Sequence, residues 1–208
     1  MFTDGSVILD PNGIRNPSIA LELSITDIDI LEKIREILGV GGKITINNRK
    51  NKKSTATLKF RSKKIAEDLS KYGIIPNKTY LTNHLPNINS YLIIPFLRGL
   101  LDGDGSIYKI TSTGKWVIDF CSYHQTICED FRNLCDSFLP TKNLNQIKNY
   151  NNKGTTYHIR YYKQEIVKQL ATVLYKDNKI SLARKNCLAE QIFLEDNSEE
   201  DIVYSDLK

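Results

Sequence analysis

Hydrophobic and polar residues alternate along residues 21–25, as they do in a half-buried strand. The segment that follows changes to helical spacing, with apolar residues on one face at Ile30, Leu31, Ile34, Ile37 and Leu38. Thr26 and Asp29 have the spacing of a helix capping box. Gly39 suits the left-handed residue that ends many helices. The pattern therefore predicts a strand followed by a capped helix.

The same order of patterns recurs about one hundred residues later in the chain. Ile118 and Phe120 alternate on either side of Asp119, and Thr126 with Glu129 has the capping spacing. The predicted helix that follows carries its apolar face at Ile127, Cys128, Phe131, Leu134, Cys135 and Phe138. The correspondence, position by position, indicates an internal repeat.

Two further strands and a helix follow in each repeat. Residues 44–62 predict two strands around a basic turn, and residues 143–162 repeat that layout with Asn-Gly-type turn residues. The helices that complete the repeats have matching apolar positions at Ile65 and Leu69 and at Ile166 and Leu170. A linker rich in Pro and Asn is expected at residues 76–89, and a final helix at residues 181–194.

A short acidic phrase stands at the same place in both repeats. The chain begins MFTDGSV, and residues 100–107 read LLDGDGSI after a long apolar run. The segment FLRGLLDGDG (residues 96–105) closely resembles the motif that names the LAGLIDADG homing endonucleases. MFTDG (residues 1–5) resembles the end of a second copy of that motif. The resemblance covers nearly all of residues 1–194.

This resemblance implies an α+β fold of two pseudo-symmetric αββαββα half-domains. Each half-domain would contain a four-stranded antiparallel sheet that forms half of a DNA-binding saddle. The first half-domain is expected at residues 1–83, the second at residues 84–194, and an acidic, solvated tail at residues 195–208. The first motif helix is expected to be largely missing. A monomer is expected, with association through the exposed apolar face of the second motif helix as the alternative.

Two carboxylates, Asp4 and Asp104, are the metal ligands and catalytic groups that the resemblance implies. A carboxylate at a helix C-terminus beside a second carboxylate is disfavoured unless a cation neutralises both. Oxygen ligands without His or Cys favour Mg²⁺. Gly99 and Gly103 lack side chains, so two motif helices could approach closely at that face. Asp102 is expected to cap or orient neighbouring groups rather than to bind metal.

Basic residues are the candidates for assisting catalysis and for contacting DNA. The resemblance implies that Lys78 and Lys179, near the ends of the half-domains, assist the reaction. The candidate DNA contacts are Arg49, Lys50, Lys52, Lys53, Lys59 and Arg61 on the first hairpin and Lys142, Lys148, Lys153 and Arg160 on the second. For any single lysine, a solvated surface is an equally good interpretation. Their clustering on both equivalent hairpins favours DNA.

Composition agrees with a nucleic-acid partner. The 208-residue chain has a formal net charge of +5, and residues 195–208 hold six acids against one lysine, so residues 1–194 carry a net +10. A body of that charge favours a polyanion. The longest apolar run, residues 91–97, is too short to span a membrane. No membrane partner is expected. The protein is expected to be intracellular, in bacterial or phage cytoplasm or in an organelle.

The four cysteines lack CxxC spacing and are interpreted as small core residues rather than disulfides or zinc ligands. Three functions stay open. The first is a site-specific homing endonuclease that makes a metal-dependent double-strand cut at a long DNA target, which the intact Asp4 and Asp104 favour. The second is an RNA-binding maturase acting on intron RNA. The third is a cleavage-inactive DNA-binding protein of the same fold.

Overall fold

The computed structural model describes residues 2–48, 53–77, 81–140, 146–149 and 156–205, with side chains as far as Glu195. The chain divides into two compact units, Met1–Asn87 and Ile88–Lys208. Within the described residues, each unit contains a four-stranded antiparallel sheet and helices, and the predicted α+β fold is confirmed. No helix in these segments combines the length and apolar character needed to cross a membrane.

The two units share the order strand, strand, helix, strand, strand, helix, and the second unit has a further helix at each end. The first unit contains β1 (Gly5–Ile8), β2 (Ser18–Ser24), α1 (Ile28–Leu38), β3 (Lys43–Asn47), β4 (Thr55–Arg61) and α2 (Lys63–Ser70). The second unit contains α3 (Ile93–Asp104), β5 (Gly105–Lys109), β6 (Trp116–Ser122), α4 (Gln125–Asp136), β7 (Lys148–Asn149), β8 (Tyr157–Tyr161), α5 (Gln164–Tyr175) and α6 (Ala183–Ser205). The internal repeat expected from the sequence is therefore present.

Both sheets have the same strand order and register. The orders are β1-β2-β4-β3 and β5-β6-β8-β7. Gly5 lies opposite Leu21 and Gly105 lies opposite Phe120, so each sheet starts at the same point after the acidic phrase. One face of each sheet is apolar and buried, with Ile19, Leu21, Ala56 and Leu58 in the first and Ile118, Phe120, Ile159 and Tyr161 in the second. Since side chains alternate, the intervening residues form a second face, here called the polar face.

The helix starts differ from the predicted capping boxes. A 3-10 turn, Ile25–Asp27, precedes α1, and its cap is Ser24, whose hydroxyl accepts a hydrogen bond from the Thr26 amide. Thr126 lies inside α4, which begins at Gln125 without a side-chain cap. Both predicted caps were wrong because the chain turns before the residues whose spacing fits the motif. Gly39 ends α1 with a left-handed φ of 59°, as predicted.

Burial corrects several side-chain predictions. Ile30 and Leu31 of α1 are buried, but Ile37 and Leu38 are exposed, so the predicted apolar face is covered only in its first half. Cys128 and Cys135 are buried as expected, whereas Cys121 is half-buried and Cys187 is exposed, and all four are free thiols. α6 continues to Ser205, past the predicted start of a solvated tail.

Glu195, the first residue of that predicted tail, is tied to the second unit. Its carboxylate accepts hydrogen bonds from Nζ of Lys109 at 2.7 Å and from the indole nitrogen of Trp116 at 2.8 Å. These contacts join α6 to the hairpin of β5 and β6. Glu195 is therefore hydrogen-bonded to the sheet although its side chain is exposed.

Candidate active site and nucleic-acid interface

Asp104 is the last residue of α3, and the chain passes directly from it into β5. The backbone is closely packed at Gly105, where the helix gives way to the strand. A Cβ added there would lie 2.6 Å from the carbonyl oxygen of Leu101 and 3.0 Å from its Cα, which no real side chain tolerates. Glycine is therefore required for close approach rather than for an unusual φ. The exposed carboxylate of Asp104 is carried by a fixed helix end.

Lys185 of α6 holds that helix end in place. Its side chain is fully buried, and Nζ donates to the carbonyl oxygens of Leu101, Asp102 and Gly105 at 2.5, 2.6 and 2.6 Å. The last carbonyls of a helix have no partner within the helix, and a cation there also complements the helix dipole. The ammonium group thus supplies three hydrogen bonds around the residue that displays the candidate ligand.

Lys185 was absent from the sequence-based candidates, which instead included Lys179. Lys179 is exposed in the loop after α5, whereas Lys185 belongs to a buried helical face with Leu182, Ala189 and Ile192. The signal was present in the sequence, since a lysine at that spacing occupies a core position. A buried lysine is stable only when its charge is hydrogen-bonded.

Asp102 orients the same helix, as the resemblance implied. Its buried carboxylate accepts hydrogen bonds from the hydroxyl of Tyr175 at 2.8 Å and from the amide of Leu182 at 3.0 Å. Burial raises the pKa of Asp102, against the hydrogen bonds from Leu182 and Tyr175, which lower it. Arg98, one turn earlier on α3, donates to the carbonyls of Leu174 and Ile180. These contacts join α3 to the end of α5 and the start of α6.

Asp4 has the equivalent place in the first unit. It is exposed, immediately precedes β1, and accepts a hydrogen bond from the Thr3 hydroxyl at 3.1 Å. Two residues before it, Phe2 stands where the second unit has Asp102. Phe2 packs against an apolar cluster that includes Ile74. An apolar contact therefore replaces the buried carboxylate at this position.

Cys121 lies beside the backbone of Asp104. Its sulfur is 3.0 Å from the carbonyl oxygen of Asp104 and donates to it. Burial, with smaller contributions from the carboxylates of Asp104 and Asp119, raises the pKa of Cys121 to about 11. The side chain is therefore a neutral thiol near pH 7 and serves as a hydrogen-bond donor.

The carboxylate at the end of α3 suits a hard cation that is bound partly by the substrate. In the described segments, no three or more His, Cys, Asp or Glu side chains group in a way that could hold a metal. Mg²⁺ usually keeps several waters and binds through one or two carboxylates together with substrate phosphates. An exposed aspartate such as Asp104 matches that mode. Along α3, Gly99 is exposed and Gly103 is half-buried. Apart from its neighbours in the chain and the backbone of the same helix, no described atom lies within 4 Å of a Cβ built at Gly99.

The polar face of the first sheet carries three exposed basic residues. Alternation and register place Lys43, Lys59 and Arg61 on it, and Lys43 lies directly opposite Lys59. The same face carries polar residues linked across strands: Asn47 donates to Thr57 at 3.0 Å, and Thr55 donates to Glu22 at 2.8 Å. Lys53 is exposed just before β4. Lys43 was missed from the sequence, although its alternation with Ile44 signals this face.

The polar face of the second sheet has a different arrangement. Lys148 is exposed on β7, opposite His158 of β8. Arg160 is only partly exposed, because its guanidinium contacts the buried carboxylate of Asp119. The remaining sequence-based candidates, Arg49, Lys50, Lys52, Lys78, Lys142 and Lys153, lie outside the described residues.

Comparison with known proteins agrees with this geometry. Residues 92–174, which include α3 and most of the second repeat, match the family described as LAGLIDADG-like domain. No curated protein matches the chain. The resemblance first found in FLRGLLDGDG is confirmed.

Solved structures extend the likeness to nearly the whole chain. I-SmaMI, a LAGLIDADG homing endonuclease bound to cleaved DNA, has 16% identity and a TM-score of 0.62, over 95% of this chain and 88% of that one. I-GzeII in complex with its DNA target has 16% identity and a TM-score of 0.57, over 98% and 93%. I-DmoI in complex with DNA and Mn has 13% identity and a TM-score of 0.54, over 84% and 90%. The second unit thus contains a LAGLIDADG-like domain, and the chain has the fold of the LAGLIDADG homing endonucleases.

Proposed function

We propose that the protein is a site-specific endonuclease that makes a metal-dependent double-strand cut at a long DNA target. The observation that carries this proposal is the fixed position of the helix end that bears Asp104. Lys185, Gly105 and Asp102 all fix the helix end from which its carboxylate projects. These contacts hold an exposed carboxylate in a fixed position, as a metal ligand requires. The DNA-bound states of I-SmaMI and I-GzeII support the same substrate class.

In this proposal Asp4 and Asp104 hold Mg²⁺ together with oxygens of the phosphodiester. The bound ion would supply a nucleophilic water and stabilise the leaving oxygen. The chain's own contribution is to present two carboxylates from equivalent positions, each directly before the first strand of a sheet. Lys78 and Lys179 are proposed to assist the reaction through their positive charges.

The polar faces of the two sheets are the proposed DNA surfaces. Lysine and arginine on them would contact phosphates, and polar side chains such as Asn47 would contact base edges. The proposed set comprises Arg49, Lys50, Lys52, Lys53, Lys59, Arg61, Lys142, Lys148, Lys153 and Arg160. The alternation that exposes Lys59 and buries Leu58 supports this choice of face.

Replacing Asp104 tests the proposal directly. Asp104→Asn keeps the shape of the side chain and removes its charge, so we expect cleavage of a selected DNA target to fall more than about a hundredfold. Cleavage in Mg²⁺ is measured on supercoiled plasmid, which separates nicking from double-strand cutting. DNA binding in Ca²⁺ is measured in parallel and should persist.

Asp136→Asn is the matched control, because Asp136 is the last residue of α4 as Asp104 is of α3. We expect this variant to cut as well as the parent. If Asp104→Asn also cut normally, the assigned site would be wrong. DNA binding without any cutting by the parent would favour a DNA-binding protein, and assisted splicing of an intron RNA would favour a maturase.

A further inference from the structure

A buried carboxylate lies between two side chains on the polar face of the second sheet. Asp119 of β6 is 6% exposed, and its Oδ2 accepts a hydrogen bond from Nε of Arg160 at 2.7 Å. Nδ1 of His158 lies 3.1 and 3.2 Å from the two carboxylate oxygens. A carboxylate buried this deeply needs partners to offset its lost hydration. The cluster therefore fixes where Arg160 and His158 stand.

The guanidinium of Arg160 is oriented by this contact. Asp119 engages Nε, and the two η nitrogens at the opposite end carry four further N–H groups. Tyr162 also interacts with this side chain. About a quarter of the Arg160 side chain, 24%, is accessible. Two parallel N–H donors match the O6 and N7 acceptors of guanine in the major groove.

The first sheet lacks this device at the equivalent position. The matching Gly5–Leu21 and Gly105–Phe120 pairs align the two registers. In that alignment Lys59, opposite Ala20, takes the place of Arg160, opposite Asp119. An alanine offers no acceptor, and a lysine ammonium is a point charge on a flexible stem rather than a fixed fork. The two sheets therefore differ at one matched position.

We propose that Arg160, oriented by Asp119, specifies a guanine in the DNA contacted by the second sheet, and that Lys59 makes a sequence-tolerant contact at the matched position of the first. The inference rests on the proposed function of the two sheets as DNA surfaces. It makes Asp119 a positioning residue, because it acts on DNA only through Arg160. The two halves of the target would then tolerate base changes unequally.

The experiment uses the full chain and a library of randomised DNA duplexes, with Ca²⁺ replacing Mg²⁺ so that selected duplexes stay intact. Sequencing of bound duplexes gives the base preference at every position. Arg160→Lys keeps the charge and loses the fork, so we expect guanine preference at one position to fall about tenfold or more. Asp119→Ala should relax the same position although Arg160 is still present.

Lys59→Ala is the matched comparison in the first sheet. Losing a lysine that contacts phosphate lowers affinity for all sequences alike, so this variant should bind more weakly with an unchanged preference profile. The contrast between a change in profile and a change in overall affinity separates the two roles. Thermal melts of all three variants show whether each is folded.

The outcomes distinguish this inference from the function on which it rests. If the parent selects no sequence, both the inference about Arg160 and the proposed function are wrong. If the parent selects a site and Arg160→Lys keeps the same profile, the inference is overturned and the proposed function stands. A lowered melting temperature in Asp119→Ala with an intact profile would make the ion pair merely structural. Should Asp119→Ala fail to fold, Asp119→Leu, which has a similar size and no acceptor, is read in the same way.

Discussion

Lys185 combines a core position with a full positive charge. The three carbonyl oxygens around Nζ belong to the end of α3 and the start of β5, where a helix leaves its acceptors unpaired. The lysine therefore exchanges its hydration for three hydrogen bonds. The same contacts fix the backbone on either side of Asp104, so one residue serves both stability and the candidate site.

Replacing this lysine should lower the stability of the protein. Lys185→Met fills similar volume but leaves buried carbonyls without a donor, so we expect the free energy of unfolding to fall by about 2 to 4 kcal/mol. Chemical denaturation measures it. Lys176→Met, at an exposed lysine just after α5, should change it by less than about 0.5 kcal/mol. Equal stability of the two variants would contradict the role assigned to Lys185.

Individual residues divide into those that the sequence reveals and those that need the fold. Asp104 could be identified from its motif, and Lys185 from its spacing with Leu182 and Ala189. The pairing of Asp119 with Arg160 could not be predicted. It depends on the register of β6 against β8, and a shift of one residue would place the carboxylate on the other face.

At the scale of elements, α3 is held by hydrogen bonds to the end of α5 and to the loop that follows it. Asp102 contacts Tyr175 and Leu182 there, and Arg98 reaches two carbonyl oxygens of the same segment. The helices are thus held together in part by three polar side chains, Asp102, Arg98 and Lys185, where apolar packing usually serves. Such ties are directional, so they fix the rotation of the helix as well as its position.

The buried carboxylate in this tie should give the protein a pH-dependent stability. The pKa of Asp102 is raised above 3.8 in the folded protein, chiefly by burial. As pH rises above 3.8, the unfolded chain therefore releases this proton first, and the free energy of unfolding falls until the folded protein also ionises. Asp102→Asn lacks this contribution.

Denaturant unfolding of both proteins between about pH 4 and about pH 7 measures the effect. The stability of the parent relative to Asp102→Asn should decrease as pH rises. Parallel pH profiles would show that Asp102 ionises equally easily in the folded and unfolded protein, against the burial argument.

Strands and helices were predicted from periodicity, but their ends were not. The alternation in residues 21–25 and the apolar spacing in residues 28–38 each found their element. The caps at Thr26 and Thr126 failed because spacing alone does not reveal a preceding 3-10 turn or an uncapped start. The continuous burial of β6 also differs from the alternation expected of it, since this strand is covered more fully than β2.

At the scale of the whole molecule, charge is distributed so that each sheet presents basic residues on its polar face. Lys43, Lys59 and Arg61 lie on the first, and Lys148 and Arg160 on the second. The net charge of +5 includes the acids of residues 195–208, one of which, Glu195, neutralises Lys109. The positive surface available to a polyanion is therefore larger than the net charge indicates.

DNA binding should accordingly depend strongly on salt. Phosphate contacts release counterions, so we expect the association constant to fall by about a thousandfold between 50 and 200 mM salt. Filter binding or fluorescence anisotropy at several salt concentrations gives the slope. Lys59→Ala should reduce the slope by about one. Lys64→Ala, on α2 rather than on the polar face, should leave it unchanged, and a salt-independent constant would contradict the proposed surface.

The overall architecture was more predictable than its details because it is repeated. Two matching series of patterns in one chain reinforce each other, so errors at single helix ends did not affect the assignment of the fold. Sequence reasoning could not predict where the two repeats differ in chemistry. Ala20 gives no sign that its counterpart is a buried carboxylate, and only the aligned registers relate the two.

The exchange between Asp102 and Phe2 has a consequence for protein engineering. Ile74 follows Ile65 by the same number of residues as Tyr175 follows Ile166. The hydrogen-bonded pair Asp102–Tyr175 therefore corresponds to two positions, Phe2 and Ile74, that belong to one apolar cluster. Grafting one member without the other would bury a lone carboxylate or a lone phenol. Chimeric proteins assembled from this chain must therefore exchange both positions of a pair together, however well the backbones superimpose.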